Sequence, residues 1–329
     1  MRIVKSPVRV SIGGGGTDLP IYCEEKGGNL IFATIDKYVY IVVNQNLDDK
    51  YSIYLENAFE ELNKLEKSSN KYIRTISGEL DLHSDSLSIS SISDVPSGTG
   101  LGSSGSFTVS MLKALEKYSS KNLTEKELAE TAFEVENKEL GKSCGKQDQY
   151  AAAFGGFKRL EISKNQEVSV SELDIDEVDL DKLEESLMLF YTDERRYSGE
   201  VLEDQKKEMK EKERKLKKMD QIKDIGHQIR RELEEGNIGR YGELLDNHWS
   251  TKKKFSNKMT NPTIDEMYSC AKKNGALGGK IVGAGGGGFL MLYVPVEDQH
   301  KVKGSLENLG AKQMSFKFSQ EGCEVVYED

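Results

Sequence analysis

Pro-Ser-Gly-Thr-Gly-Leu-Gly-Ser-Ser-Gly occupies residues 96–105, between a predicted strand and a predicted helix. Leu87, Ile89 and Ile92 indicate the strand, and apolar residues at helical spacing from Phe107 onward indicate the helix. Glycines let the backbone adopt positive φ and approach a ligand closely. The helix that follows points its free N–H groups and positive dipole end into the loop. A tight turn with a serine N-cap is the alternative, but the length and placement favour an anion-binding loop.

The loop is not one of the two familiar nucleotide-binding glycine motifs. No GxxxxGK[ST] sequence occurs in the chain, which excludes a Walker A loop. A second glycine-rich segment, residues 283–288, precedes an apolar run at 289–294 that is predicted to be a strand. Because a dinucleotide-binding loop follows a strand and opens a helix, an NAD enzyme is disfavoured.

Composition limits the partners. The 329 residues can form one large or two ordinary domains. With 46 basic and 56 acidic residues the net charge is -10, which repels nucleic acid and anionic membrane. We therefore expect no nucleic-acid and no membrane partner, and any positive potential for a phosphorylated ligand must be local.

The first residues and the cysteines predict a cytoplasmic protein. The four cysteines form no CxxC pair and have no histidine at metal-ligand spacing, so reduced thiols are expected. Pro7, Arg9 and four glycines interrupt any apolar core of a signal peptide. No apolar run reaches the length of a membrane span.

Further elements place a domain boundary near the middle of the chain. Val8, Val10 and Ile12 alternate with polar residues as in a strand, and Thr124 with Glu127 fits a helix capping box. Residues 161–186 are acidic and weakly patterned, and a buried strand is predicted at 187–191. We therefore expect an N-terminal domain at 1–186 and a C-terminal domain at 187–329.

Residues 198–235 are predicted to form a long, charged helix. Four Glu–Lys pairs stand at i,i+4 in the favourable order, and the apolar stripe is thin. A solvated helix packed along one edge is favoured over a coiled-coil dimer. Basic and acidic residues are interleaved, so the stretch is not a nucleic-acid patch.

The loop at 96–104 resembles the phosphate loop of the GHMP kinases, the superfamily of galactokinase, homoserine kinase and mevalonate kinase. Residues 9–18, Arg-Val-Ser-Ile-Gly-Gly-Gly-Gly-Thr-Asp, resemble the galactokinase sugar-binding segment, except that Gly15 and Gly16 replace a Glu-His pair. Residues 283–289 resemble the third superfamily motif. The resemblance implies an α+β, two-domain fold, with an N-terminal domain like ribosomal protein S5 domain 2 and a ferredoxin-like C-terminal domain.

The resemblance also implies roles for individual residues. Residues 145–149 resemble the segment that supplies the catalytic aspartate, Asp148, with Arg9 beside it. A carboxylate that accepts the proton of a sugar hydroxyl assists its attack on the γ-phosphate. Ser104 and Glu136, twelve residues before Asp148, would hold Mg²⁺ as hard oxygen ligands. The residues implied to bind ATP are Pro96, Gly98, Gly100, Leu101, Gly102, Ser103 and Ser104. Without the resemblance, Asp148 and Glu136 would each be interpreted as an ordinary surface residue.

Substrate contacts follow from the same resemblance. Asp18 can accept hydrogen bonds from two adjacent sugar hydroxyls, and Arg196 can clamp a phosphate. Lys146 and Lys280 are weaker phosphate candidates, for which a plain surface cation is an equal alternative. The predicted substrate-binding residues are Gly15, Gly16, Thr17, Asp18, Arg196, Gly285 and Gly286.

Within the superfamily, the segments around residues 7–20, 248–249, 261–262 and 275–280 are similar to the D-glycero-D-manno-heptose 7-phosphate kinases. This similarity implies phosphorylation of the anomeric hydroxyl to the 1,7-bisphosphate, with ATP and a sugar phosphate as partners. The alternatives are a fucose or galactose 1-kinase, a sensor that binds ATP and sugar without transfer, and a scaffold. The sequence does not decide the anomer, and a homodimer stays open.

Overall fold

The computed structural model describes residues 1–55, 58–82, 86–193, 212–256 and 258–329. Arg196, the predicted phosphate ligand, lies outside these ranges. The first part of the predicted charged helix, residues 198–211, also lies outside them.

A mixed sheet of eight strands forms the first unit. Its central strand is the long β2, which pairs with β1 along one edge. Along the other edge, the first part of β2 pairs with β6 and the last part pairs with β5. The order is β12-β1-β2-β5-β3-β4, with β7 beside β6, and only the β3–β5 pair is parallel among these strands. The strands are β1 (Arg2–Gly13), β2 (Gly28–Gln45), β3 (Tyr51–Leu55), β4 (Ala58–Leu62), β5 (Leu87–Ser93), β6 (Phe157–Ile162), β7 (Val168–Glu172) and β12 (Glu324–Glu328).

Helices cover this sheet and bring the site residues to it. α3 buries Val109, Met111 and Leu112 in the core of the unit. The capping box of α4 is confirmed, since Thr124 Oγ1 accepts from Glu127 N–H while the Glu127 carboxylate accepts from Thr124 N–H. The helices are α1 (Pro20–Lys26), α2 (Lys71–Leu80), α3 (Ser103–Leu115), α4 (Glu125–Glu134), α5 (Gln147–Phe154) and α6 (Glu177–Ser186).

A four-stranded antiparallel sheet forms the second unit. Counted within the unit, the strands stand in the order fourth, first, third, second, which is the ferredoxin-like arrangement. The predicted α+β class and fold are therefore confirmed. The strands are β8 (Leu187–Tyr191), β9 (Gly278–Ile281), β10 (Phe289–Tyr293) and β11 (Lys312–Met314). The helices are α7 (Lys212–Glu234), α8 (Ile238–Lys253), α9 (Pro262–Lys273) and α10 (Gln299–Glu307).

The two units share a core. Val8 and Ile12 of β1 belong to the same apolar cluster as Leu189 of β8 and Ile229 of α7. The strand β12, from the far end of the chain, pairs with β1 in the first sheet. The boundary at 186/187 stays a prediction, because the polypeptide crosses back after the second sheet.

Two further observations concern membrane-spanning helices and the state of the cysteines. No helix among the described residues is both long and apolar enough to cross a membrane. All four cysteines are free thiols.

Candidate active site

The loop at residues 98–102 can be built only from glycine at alternate positions. Gly98, Gly100 and Gly102 have φ of 74°, 85° and 81°, values that L-residues with side chains rarely adopt. A Cβ on Gly100 would lie 2.3 Å from the carbonyl oxygen of Val282. The loop is therefore fixed in shape by its own dihedral angles and by the packing of the second unit against it.

Helix α3 begins directly after this loop, and its N-terminus lies at a cavity. Gly102 is its N-cap and provides no side-chain cap, so the first N–H groups of the helix stay available to a ligand. Ser103 and Ser104 line the same cavity. Backbone donors, hydroxyls and the positive end of the helix dipole together suit a phosphate group.

Arg9 and Asp148 form a fixed ion pair beside the loop. Arg9, on β1, is buried, and its Nε donates to Asp148 Oδ1 at 2.9 Å, as does Nη2. Its Nη1 donates to the carbonyl oxygen of Gly100 at 2.6 Å. Asp148 Oδ2 makes no hydrogen bond with any residue in the described ranges, and its side chain is 28% exposed. One carboxylate oxygen is thus held while the other faces the cavity.

The loop touches this ion pair directly. A Cβ on Gly102 would lie 3.2 Å from Asp148 Cγ and 3.4 Å from Arg9 Cγ. A Cβ on Gly105 would lie 2.8 Å from Asp148 Cβ. The close approach of phosphate loop and carboxylate therefore depends on glycine at both positions.

Asp18, in the segment between β1 and α1, contacts the N-terminal end of α5, the helix that carries Asp148. Its Oδ2 accepts from Gln147 N–H at 3.0 Å and its Oδ1 from Gly16 N–H at 3.2 Å. Burial, reinforced by the charge of Asp148, raises the pKa of Asp18, although the Gln147 N–H opposes the change. Gly145 leaves the space for Asp18, since a Cβ there would lie 1.9 Å from Oδ2.

Glu136 stands in a π-helical turn, Val135–Glu139, that follows α4. It is 1% exposed, and its Oε1 accepts from the Tyr72 hydroxyl at 2.9 Å and from Lys142 Nζ at 3.3 Å. Gln149 Nε2 donates to its Oε2. Such turns recur at functional sites because they redirect a side chain. Here the turn presents a carboxylate on the cavity wall.

The second unit supplies cations to the cavity wall. Lys252 Nζ, on α8, donates to the carbonyl oxygen of Gly283 at 2.6 Å. Burial, reinforced by Arg9, lowers the pKa of Lys252 to about 8. Lys280, on β9, is 1% exposed and its pKa lies well below its ordinary value, again chiefly through burial. An apolar group, Met219, Ile222, Phe255 and Met259, completes this wall.

These residues surround one cavity of about 1010 Å³. The three glycine-rich segments, far apart in sequence, meet here. The predicted residues on its wall are Arg9, Gly15, Gly16, Asp18, Gly98, Gly100, Gly102, Ser103, Ser104, Glu136 and Asp148.

Five of the predicted ligand residues do not line the cavity, and their role as ligands stays a prediction. The Leu101 side chain lies in the apolar core and its carbonyl accepts from Arg9 N–H. The Thr17 hydroxyl is buried between the carbonyls of Gly14 and Asn29. Both residues help to fix the shapes of the two glycine-rich loops. Pro96, Gly285 and Gly286 are the other three.

The third glycine segment serves mainly to hold loops together. Gly286 N–H donates to the carbonyl of Met259, and Gly285 packs on the same residue. Gly283 and Ala284 line the cavity instead. Lys146, considered for phosphate binding, is buried in an ion pair with Glu130 away from the cavity.

Sequence reasoning missed several polar residues on the wall. Lys252 follows His248 by four residues on α8. This helical spacing was the only feature of the sequence that could have indicated a place for Lys252 in the site. Ser11 Oγ and Gln147 Nε2 are buried without a hydrogen-bond partner in the described part of the chain. Tyr72 and Lys142 are recognisable only through their contacts with Glu136.

Transfer of a phosphoryl group to an alcohol requires an anion cradle that opens onto a base, and this cavity has both, which is the arrangement of a small-molecule kinase. The model of the GHMP kinases N terminal domain matches residues 62–156, and that of the GHMP kinases C terminal domain matches residues 229–312. The chain belongs to the GHMP kinase family. It is an ATP-dependent phosphotransferase, a sugar kinase of this family.

Named relatives cover nearly the whole chain. D-glycero-alpha-D-manno-heptose 7-phosphate kinase of Campylobacter jejuni is 32% identical over 97% of this chain and 96% of its own length. A crystal structure described as a D-glycero-D-manno-heptose 1-phosphate kinase from Bacteriodes thetaiotaomicron is 28% identical with a TM-score of 0.84, covering 100% of both chains. Lactococcus lactis galactokinase complexed with galactose, at 19% identity and a TM-score of 0.77 over 98% and 94% of the chains, shares the fold.

Proposed function

We propose that the protein transfers the γ-phosphoryl group of ATP to the anomeric hydroxyl of D-glycero-D-manno-heptose 7-phosphate, giving the 1,7-bisphosphate. The observation that carries the proposal is the Arg9–Asp148 pair against the phosphate loop, with Asp148 Oδ2 facing the cavity. The heptose phosphate kinases among the relatives support the choice of sugar.

Asp148 acts as the base in this scheme. Its Oδ2 accepts the proton of the anomeric hydroxyl as the substrate oxygen forms a bond to the γ-phosphorus. The bond from that phosphorus to the bridging oxygen breaks, and ADP leaves. Arg9 keeps the carboxylate oriented, because its guanidinium is held between Asp148 Oδ1 and the carbonyl of Gly100.

In this proposal nucleotide and sugar occupy different parts of the cavity. Val39, Leu55, Ala58 and Phe107 on its lining offer apolar surface for a purine. The phosphates then follow residues 98–104 toward Asp148. Asp18, Ser11 and Gln147 line the same cavity, Asp18 and Gln147 directly beside Asp148, and can bind sugar hydroxyls.

Mg²⁺ fits the residues beside the loop. Glu136 and Ser104 offer a carboxylate and a hydroxyl oxygen on one wall. In the described ranges no three His, Cys, Asp or Glu side chains converge, but Mg²⁺ commonly uses one or two protein oxygens together with phosphate oxygens. Bound there, the ion would neutralise charge on the transferring phosphoryl group.

Glu136→Gln is expected to raise the Mg²⁺ concentration for half-maximal activity by roughly tenfold or more, since a charged ligand becomes a neutral amide. Glu130→Gln, the same change on α4 in an acid paired with Lys146 off the cavity, is the control. Thermal stabilisation by MgADP over ADP alone gives a second readout. Equal Mg²⁺ dependence in both variants would contradict the assignment.

The rivals differ in substrate or in chemistry. A fucose or galactose 1-kinase would act on sugars without a phosphate, and a sensor would bind both ligands without releasing ADP. The retained Arg9–Asp148 geometry favours catalysis over the sensor.

An ADP-release assay over a panel of sugars and sugar phosphates tests the proposal. We expect turnover with D-glycero-D-manno-heptose 7-phosphate to exceed that with galactose, fucose or mannose by more than tenfold in kcat/KM. Phosphorus NMR of the product should show a new anomeric phosphate. Preference for an unphosphorylated sugar, or turnover with none of the acceptors, would overturn it.

A further inference from the structure

Lys280 and Lys252 lie on the cavity wall without carboxylate partners, Lys280 fully buried and Lys252 half-buried. Lys280 is among the largest fully buried side chains, yet its Nζ makes no hydrogen bond or ion pair with the residues that the structure describes. Lys252 Nζ has one neutral partner, the carbonyl of Gly283. A buried ammonium group without an anion is costly, because the interior does not replace its hydration.

The surrounding charges leave this region positive. Beyond the larger effect of burial, Arg9 lowers the pKa of Lys252, and Lys252 and Arg9 lower the pKa of Lys280. Of the nearby acids, Asp148 is engaged by Arg9, and Asp18 is bonded to backbone N–H groups. A bound dianion would provide the negative charge that the protein does not place beside these ammonium groups.

We propose that Lys252 and Lys280 form the subsite for the phosphate monoester that the sugar substrate already carries. The inference rests on the proposed function and deepens it. The nucleotide has its own cradle in the first unit, at the N-terminus of α3. The lysines belong to the second unit, on the wall that also carries Phe255 and Met259.

This subsite makes the enzyme selective by an asymmetry. A sugar phosphate pairs both ammonium groups, whereas a bare sugar leaves the buried Lys280 and the half-buried Lys252 without an anion. Sites with buried polar groups reject analogues that lack the matching group more strongly than apolar pockets do. Selection for the phosphorylated acceptor therefore follows from the burial of the lysines.

The test uses Lys280→Met, Lys252→Met and the double variant, with Lys254→Met, an exposed lysine at the end of the same helix, as the matched control. We expect each single variant to raise KM for the heptose 7-phosphate about tenfold and the double variant about a hundredfold. KM for ATP should stay within about threefold. An unchanged KM for the sugar phosphate would overturn the proposal, and a matching rise in KM for ATP would assign the lysines to the terminal phosphate of the nucleotide.

Binding without turnover separates this proposal from the reaction itself. Calorimetric titration of the unliganded wild-type protein with the heptose 7-phosphate should show binding that Lys280→Met loses. If wild type releases no ADP with any acceptor but binds the sugar phosphate through Lys280, the reaction fails and the subsite stands. If wild type turns over and the variants bind as wild type does, the subsite fails alone.

Folding of the variants can be checked independently. Methionine fills similar volume and removes a buried charge, so the melting temperature of Lys280→Met should equal or exceed that of wild type. Lys280→Gln, which keeps a polar end without the charge, is the second variant if Lys280→Met does not fold. Either variant with wild-type affinity for the sugar phosphate would refute the subsite.

The pH dependence gives a further readout. The groups that bear on Lys252 are Arg9, Asp18, Lys280 and His248. Since the pKa of Lys252 is lowered to about 8, its positive charge is lost as the pH rises through that value. Affinity for the sugar phosphate should fall above about pH 8 in wild type, and the fall should be smaller in Lys252→Met.

Discussion

Asp148→Asn should lower kcat by roughly 10³-fold while leaving KM for ATP within about threefold. Asparagine preserves the size of the side chain and an oxygen for Arg9, but its amide cannot accept the proton of the sugar hydroxyl. The phosphate loop, the N-terminus of α3 and the clamp on Arg9 would all remain. The effect should therefore fall on the chemical step rather than on nucleotide binding.

Steady-state kinetics with ADP release, and single-turnover measurements, separate the two parameters. Asp246→Asn is a matched control, because Asp246 bonds Tyr268 and Lys272 away from the cavity. Retention of more than about a tenth of wild-type kcat in Asp148→Asn would be incompatible with a role as base.

Gly100→Ala should abolish measurable ATP binding and lower the free energy of unfolding by about 3 kcal/mol. A φ of 85° costs an L-residue about 1–2 kcal/mol, and overpacking costs about 1–3 kcal/mol. The new methyl group would lie 2.3 Å from the Val282 carbonyl, which belongs to the backbone and cannot rotate away. Relief requires the loop to move, and with it the carbonyl that holds Arg9 Nη1.

Gly304→Ala makes the same chemical change where the structure permits it. Gly304 lies inside α10 with nothing within 4 Å of a new Cβ, so this substitution should stabilise the protein by up to about 1 kcal/mol. Denaturant unfolding and titration with ADP compare the two variants. Equal stability, with normal ADP binding by Gly100→Ala, would show that the loop tolerates other conformations.

The sequence predicted those parts of the fold that depend on local chemistry. The capping box at Thr124 and the strand β1 each depend on the pattern of a few neighbouring residues. The sequence did not predict the edge strand β7, which lies inside a segment interpreted as weakly patterned. This strand is stabilised by its hydrogen bonds to β6, a contact that the local sequence does not reveal. The boundary between the units was likewise inferred from composition, which carries no information on the return of β12.

The candidate site divides in the same way. Arg9, Asp18 and Asp148 could be predicted as site residues, because each occupies a fixed position in a segment that resembles a family motif. It could not separate Gly283, which faces the cavity, from Gly286, which binds Met259. Lys252 depends on how α8 packs over β9, and no spacing within one segment reveals that contact.

The pairing of β12 with β1 has a consequence for biosynthesis. The strand that carries Arg9 acquires its outer neighbour only when residues 324–328 have left the ribosome, so the sheet cannot be completed during translation of the first unit. Until then β1 presents an open edge on which another nascent polypeptide can add a strand. A fragment ending after the second sheet would retain every residue of the cavity and still be prone to aggregate through that edge.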